Sequence, residues 1–306
     1  MAKKFISTKM KIFMLILFLL SITFYVSGCI ALVQSGYKLS DYPDELNFTP
    51  DSFKFNANIN LFDFDGSSLS KDYNLNDNIN EISINLNSQD IKIENYDGPT
   101  LKVQIKSSNS ASNELTETEE GHKLNLNTSY NTPGNANISI SIPNSFKNKG
   151  ALKIVTSSGD IYISNVSLDT LSISTASGDT EVSNLNLNYL SLNTSSGDTH
   201  LKNVSALNET RLVSSSGEIV GNGTLGQLTA NTTSGDMELK LENSLANSSL
   251  SSISGTIDLS LPKDSGYKIN YDTISGHLES SNGKLSHGDE SSIININTTS
   301  GNLNIK

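Results

Sequence analysis

Residues 171–201 read LSISTASGDTEVSNLNLNYLSLNTSSGDTHL, and one pattern runs twice through them: alternating apolar residues, the tetrad Thr-x-Ser-Gly, an aspartate, and alternation again. Working outward, the tetrad Thr/Ser-x-Ser-Gly recurs with its glycine at Gly159, Gly178, Gly197, Gly217, Gly235, Gly255, Gly276 and Gly301. The intervals are 18 to 21 residues and stretch to 25 only at the last step. A fixed period of this length is the mark of a solenoid, in which one supersecondary unit stacks along an axis.

Counted from each glycine, positions +2 and +4 hold pairs such as Ile161/Ile163, Met237/Leu239, Ile257/Leu259, Leu278/Ser280 and Leu303/Ile305. Positions −7 and −5 hold Leu152/Ile154, Leu171/Ile173, Leu190/Leu192 and Ile294/Ile296. A third pair, at +7 and +9, appears in the earlier coils as Val166/Leu168, Leu185/Leu187 and Val204/Ala206. Alternation with period two makes each pair the inward face of a short strand. No stretch after the leader sustains a helical period. The expected fold is therefore all-β, a single-chain parallel β-helix of about 18–21 residues per coil, with about eight clear coils and three degenerate ones.

At the tetrad the chain turns a sharp corner, and a positive φ is the expected reason for glycine there. The Thr or Ser at −3 shares parity with the inward residues, so its hydroxyl is expected to bond backbone groups at the corner. The repeats are regular from about residue 150, and the solenoid is expected to span 78–306. Ile82, Ile84, Leu86, Ile91 and Ile93 reproduce the spacing with Gln89 in the glycine position, and Leu101, Val103 and Ile105 add a strand. The Ser/Asn/Glu/Thr-rich stretch from Ser107 to Gly121 reads as an exposed loop.

Residues 1–28 read as a lipoprotein signal peptide. Lys3, Lys4, Lys9 and Lys11 precede an apolar run from Ile12 to Val26, too short for a reliable membrane span, that ends at Val26-Ser27-Gly28-Cys29. This terminal tetrad resembles the lipobox of bacterial lipoproteins. The resemblance implies that Cys29 takes a diacylglycerol and becomes the first residue of the mature chain, anchoring it outside the cytoplasm to the cell membrane, or to an outer membrane where there is one. Residues 29–50 are then a lipidated tether without period. The 51–77 region follows as an N-terminal cap, in which Phe53, Phe55, Ala57, Ile59 and Leu61 alternate.

Cys29 is the only cysteine, so no internal disulfide forms. Removing the four leader lysines from 21 basic residues leaves 17 against 32 acidic ones, a net charge of −15. Such a surface repels nucleic acid and anionic polymers. A single arginine, Arg211, and no tryptophan also leave the chain poor in the residues that most often anchor tight interfaces.

Ile140-Ser141-Ile142-Pro143, leading to Val155-Thr156-Ser157-Ser158-Gly159-Asp160-Ile161, with the repeated Thr-x-Ser-Gly-Asp and the closing Thr298-Thr299-Ser300-Gly301-Asn302-Leu303, resembles the family known as "putative adhesin". This is a bacterial envelope domain of unknown function seen as a β-solenoid. The similarity covers roughly 78–306. It implies fold and envelope location and carries over no catalytic residues.

Five acids follow the corner glycines, Asp160, Asp179, Asp198, Glu218 and Asp236, about 5 Å apart if the coils stack. One reading is a calcium ladder, since hard cations take several carboxylate oxygens. The other is that each acid bonds its own turn backbone in water. The second is favoured, because one acid per coil supplies few ligands.

Gly221-Asn222-Gly223-Thr224-Leu225-Gly226 matches a dinucleotide fingerprint literally, but it falls inside a coil where no helix follows. His122, His200, His277 and His287 lack metal-ligand spacing, and His200 and His277 point outward. The serines are explained by the repeat rather than by a nucleophile with a base. The expected function is a non-catalytic, lipid-anchored envelope protein without cofactor, binding an envelope glycan or protein. The alternative is an accessory or sensor of envelope stress acting on a membrane signalling partner. Tyr162, Tyr189 and the uncharged Asn/Ser rows are the candidate contact positions.

Overall fold

The computed structural model describes residues 67–76, 78–107, 115–128, 136–146, 150–281 and 283–306. The chain divides into two units, Met1–Asn60 and Leu61–Lys306. The signal, the Val26-Ser27-Gly28-Cys29 tetrad, the tether and the alternation from Phe53 to Leu61 all lie outside the described residues.

The strands of the second unit are β1 (Ser67–Tyr73), β2 (Glu81–Asn85), β3 (Asp90–Tyr96), β4 (Leu101–Ser107), β5 (Leu115–Glu120), β6 (Lys123–Thr128) and β7 (Asn137–Pro143). They continue as β8 (Ala151–Thr156), β9 (Ile161–Ser164), β10 (Thr170–Thr175), β11 (Thr180–Thr194), β12 (Thr199–Ser214), β13 (Ile219–Thr224) and β14 (Gln227–Thr232). The rest are β15 (Met237–Leu241), β16 (Ser248–Ser252), β17 (Ile257–Ser260), β18 (Tyr267–Thr273), β19 (Leu278–Ser280), β20 (Ser286–His287), β21 (Ser292–Thr298) and β22 (Leu303–Ile305).

Two parallel faces result, joined at the glycine corner. On the first, the strands before the corner stack in the order β6, β2, β8, β10, then the second halves of β11 and β12, then β14, β16, β21 and β18. On the second, the strands after the corner run β7, β3, β9, the first halves of β11 and β12, then β13, β15, β17, β22 and β19. A short third side exists in the middle layers, where Leu185, Asn186 and Leu187 pair with Val204, Ser205 and Ala206. The inward pairs read from the sequence are buried across these layers and form one continuous core.

Layer order departs from chain order at both ends. The first coil, β2–β3, lies between β6–β7 and β8–β9. The last coil, β21–β22, lies between β16–β17 and β18–β19. This accounts for the 25-residue final interval, since the chain makes an outer coil and then returns inside it. It also corrects the inward reading of Leu278 and Ser280: with no layer beyond it among the described residues, Leu278 is 41 % exposed, whereas its counterparts Ile257 and Leu303 are buried.

The expected loop between Ser107 and Gly121 is also corrected. Leu115–Glu120 forms β5, antiparallel to β6, with Leu115 alone buried. A strand wet on nearly its whole length shows no apolar alternation, so its sequence reads as loop. At the same end β4 runs antiparallel to β7, with β1 antiparallel beyond it.

Candidate functional site

The recurring tetrad defines the most regular polar structure of the chain, and each of its positions has a separate task. The hydroxyl at −3 accepts the N–H of its own corner glycine: Thr156 to Gly159 at 3.3 Å, Thr175 to Gly178 and Thr194 to Gly197 at 3.1 Å, Thr232 to Gly235 at 2.9 Å, and Ser252 to Gly255 at 2.7 Å. Ser214 and Thr298 instead donate to the carbonyls of Gly217 and Gly301, both at 2.8 Å. The buried hydroxyls at the corner are thus satisfied, as burial demands.

Serine at −1 binds the layer below twice. Its N–H and its hydroxyl reach the same carbonyl, as Ser177 does to Ser157 and Ser196 to Ala176. Glycine follows because nothing larger fits. A Cβ on Gly178 would stand 2.0 Å from the carbonyl oxygen of Gly159, and one on Gly197 2.0 Å from that of Gly178. The same approach continues through Gly217, Gly235, Gly255, Gly301 and Gly276, in layer order, and begins at Gln89 beneath Gly159.

The expected positive φ at these glycines is therefore overturned. The corner glycines are absent from the left-handed positions; among the described residues the positive-φ glycines are Gly121, Gly223, Gly226, Gly283 and Gly288. Contact between layers, rather than the local backbone, excludes a side chain. The left-handed conformation falls instead on the second corner, at Asn165 (φ 56°), Asn184 (φ 53°) and Asn203 (φ 53°). Asparagine tolerates it. Its amide stacks as well: Asn184 donates to Asn165 at 3.1 Å, Asn203 to Asn184 at 3.1 Å and Asn222 to Asn203 at 3.2 Å.

The acid row also differs from expectation. Each of the four aspartates accepts the backbone N–H of the same position one layer on, not one from its own turn. Asp160 receives Asp179, Asp179 receives Asp198 (both 2.9 Å), Asp198 receives Glu218 at 2.8 Å, and Asp236 receives Thr256 at 2.6 Å. Asp90 begins the row by accepting from Asp160, and Asn302 takes the same part toward His277. Burial pushes the Asp160 carboxyl above its ordinary range, and the charges of Asp90 and Asp179 add to this against the N–H bond. Among the described residues no three His, Cys, Asp or Glu side chains gather as metal ligands.

Tyr162 is half-buried on β9, its phenol pushed up to about 12 by burial and then by Asp160. Tyr189 is exposed on β11 at the start of the first face. The two tyrosines therefore lie on different faces and form no joint site. Gly221–Thr224 lies inside strand β13, with Gly221 packed against Leu201 and Gly223 against the Val204 backbone; among the described residues no helix follows the motif. His200 and His277 are exposed, as their parity implies.

A model of the Toastrack DUF4097 family matches residues 79–306, and the chain belongs to that family. Three solved structures share 13–18 % identity with it. They are a "putative cell adhesion protein" from Clostridium sporogenes (15 % identity, 78 % of this chain and 98 % of that one, TM-score 0.29), a "putative lipid binding protein" from Parabacteroides distasonis (18 %, 79 % and 98 %, 0.48) and a "putative adhesin" from Bacteroides fragilis (13 %, 78 % and 97 %, 0.39). Among curated proteins no sequence matches.

Proposed function

We propose that this chain is a non-catalytic, lipid-anchored protein of the bacterial cell envelope that displays its solenoid to bind an envelope component. One observation carries the reading. The polar residues that were candidates for a site recur layer after layer, and their hydrogen-bonding groups join one layer to the next. A catalytic site needs unlike groups converging on one place, such as a nucleophile beside a base. Here like groups repeat along an edge, which suits a rigid spacer or an extended docking surface.

The anchor rests on the sequence Val26-Ser27-Gly28-Cys29. Cys29→Ser is expected to release the protein from the membrane fraction, since a diacyl chain supplies the two hydrophobic tails that stable attachment takes. Equal retention of both forms, with no lipid mass on the N-terminal peptide, contradicts the anchor. The binding role is tested separately, by capture of partners from a native envelope extract with the full chain in detergent. Recovery of envelope glycan or a surface protein supports it. Recovery of a membrane kinase or an anti-sigma factor instead supports a sensing role.

A further inference from the structure

We propose that residues 266–290 are a separable end cap, which shields the uncharged edge of β21 from strand addition by other chains. The segment is an excursion from the stack rather than a link in it. β21 and β22 lie directly on β16 and β17, and their bonds to the coil beneath do not pass through the excursion. Ser292 Oγ donates to the Leu245 carbonyl, the Ile293 N–H donates to Asn247 Oδ1 at 2.9 Å, and Lys306 pairs with Asp258 at 3.3 Å. The excursion also leaves and returns at one place, where Ser291 Oγ donates to the Gly266 carbonyl at 3.2 Å. Its removal therefore leaves the inner layers in contact with one another.

What the segment covers needs covering. β21 reads Ser-Ile-Ile-Asn-Ile-Asn-Thr, 7 residues without charge, proline or glycine, with Ile294 and Ile296 buried in the layer between β16 and β18. Bared at the end of the solenoid, such a strand is a flat template for pairing with another chain. β18, which lies over it, instead exposes Lys268 and Asp272. The outer edge of β18 is closed by the chain turning back on itself. The Ile269 N–H donates to the Leu285 carbonyl at 2.7 Å, Tyr267 and Lys268 pair with His287 and Ser286 of β20, and the Tyr267 and His287 rings stack with centroids 5.9 Å apart. β19 is 3 residues long, and the Ser280 carbonyl at its end already accepts the Gly283 N–H at 3.0 Å. Short, charged and folded-back edges are how sheets resist joining, and solenoids need such terminal units to stay soluble.

The test compares the full chain in detergent, carrying Cys29→Ser, with the same chain in which residues 267–290 are replaced by two glycines. Circular dichroism is expected to show the shortened chain folded, with a cooperative melt. Sedimentation is expected to show it self-associating at concentrations roughly tenfold below any at which the uncut chain does. Asn295→Lys with Asn297→Lys in the shortened chain puts charge on the bared strand and is expected to restore the monomer. Hydrogen exchange on the uncut chain gives an independent reading. The amides of Ile269 and Ser281, bonded to Leu285 and Ile305, are expected to exchange together and roughly tenfold faster than that of Ile257, which joins β17 to Asn302. A shortened chain that fails to fold, or that folds and stays as monomeric as the uncut one, overturns the proposal. So does association that persists with both lysines in place, or exchange of Ile269 and Ser281 as slow as that of Ile257.

Discussion

At the scale of the residue, two corners of one coil select their residues for different reasons, and substitution separates them. Gly178→Ala is expected to cost about 2 kcal/mol by thermal or urea unfolding, because its Cβ would press on the Gly159 carbonyl and the layers would have to part. At Asn184 the φ of 53° is the issue. Asn184→Ala is expected to cost about 1–2 kcal/mol and Asn184→Gly clearly less, since glycine takes that backbone freely. If Gly178→Ala proves harmless, the close stacking at the corner is wrong.

The raised pKa of Asp160 has a definite sign. The folded chain holds that proton more readily than the unfolded one, so charge on Asp160 costs stability at neutral pH, and the cost fades as pH falls through the carboxylate range. Asp160→Asn keeps the Oδ1 acceptor for Asp179 and removes the charge. It is expected to stabilise by about 0.5 kcal/mol at neutral pH, a small value because solvent screens this partly exposed group, and by nothing in acid. Paired melts of wild type and variant across that range decide it; loss of stability at neutral pH refutes it.

Among the strands, one exception to the apolar interior stands out. Thr210 occupies a −7 position taken by Leu171, Leu190 and Leu228 in other layers, is fully buried, and has no hydrogen-bond partner for its hydroxyl. Thr210→Val keeps the shape and removes the unsatisfied group, and a gain of about 1 kcal/mol is expected. The terminal coils give a second expectation at this scale. Although β21 is nearer the C-terminus in sequence, it is an interior strand, whereas β18 is outermost. Amides of Ile294 to Asn297 should therefore exchange with solvent roughly tenfold more slowly than those of Asn270 to Asp272. The reverse order would contradict the inserted coil.

For the whole molecule, the inward positions and the glycine corner were legible in the sequence because both obey a local period. Ile161, Ile163, Leu171 and Ile173 alternate, and alternation is visible within one strand. The reason for glycine at 178 was not, because the atom that excludes a side chain belongs to Gly159, a neighbour only after stacking. The asparagine corner left a signal, Asn165, Asn184 and Asn203 each six residues after a corner glycine, but no acid or apolar contrast drew attention to it. Layer order was hidden for a further reason. The coil ending at Gly301 carries the same tetrad as its neighbours, so its sequence fits an inner or an outer place equally well.

That inserted last coil bears on how such a protein is made. A chain emerging from N- to C-terminus presents β18–β19 before β21–β22 exists, yet the two must end with the later pair inside. The outer coil cannot take its final seat until the strands from Ser292 onward have been made. A product cut short after Ser291 is not a slightly shorter solenoid but one with a missing storey, its top floor unsupported. Residues from Ser292 to Ile305 thus close the interior, and a copy that stops before them bares the buried faces of β16 and β17 rather than ending in a trimmed layer.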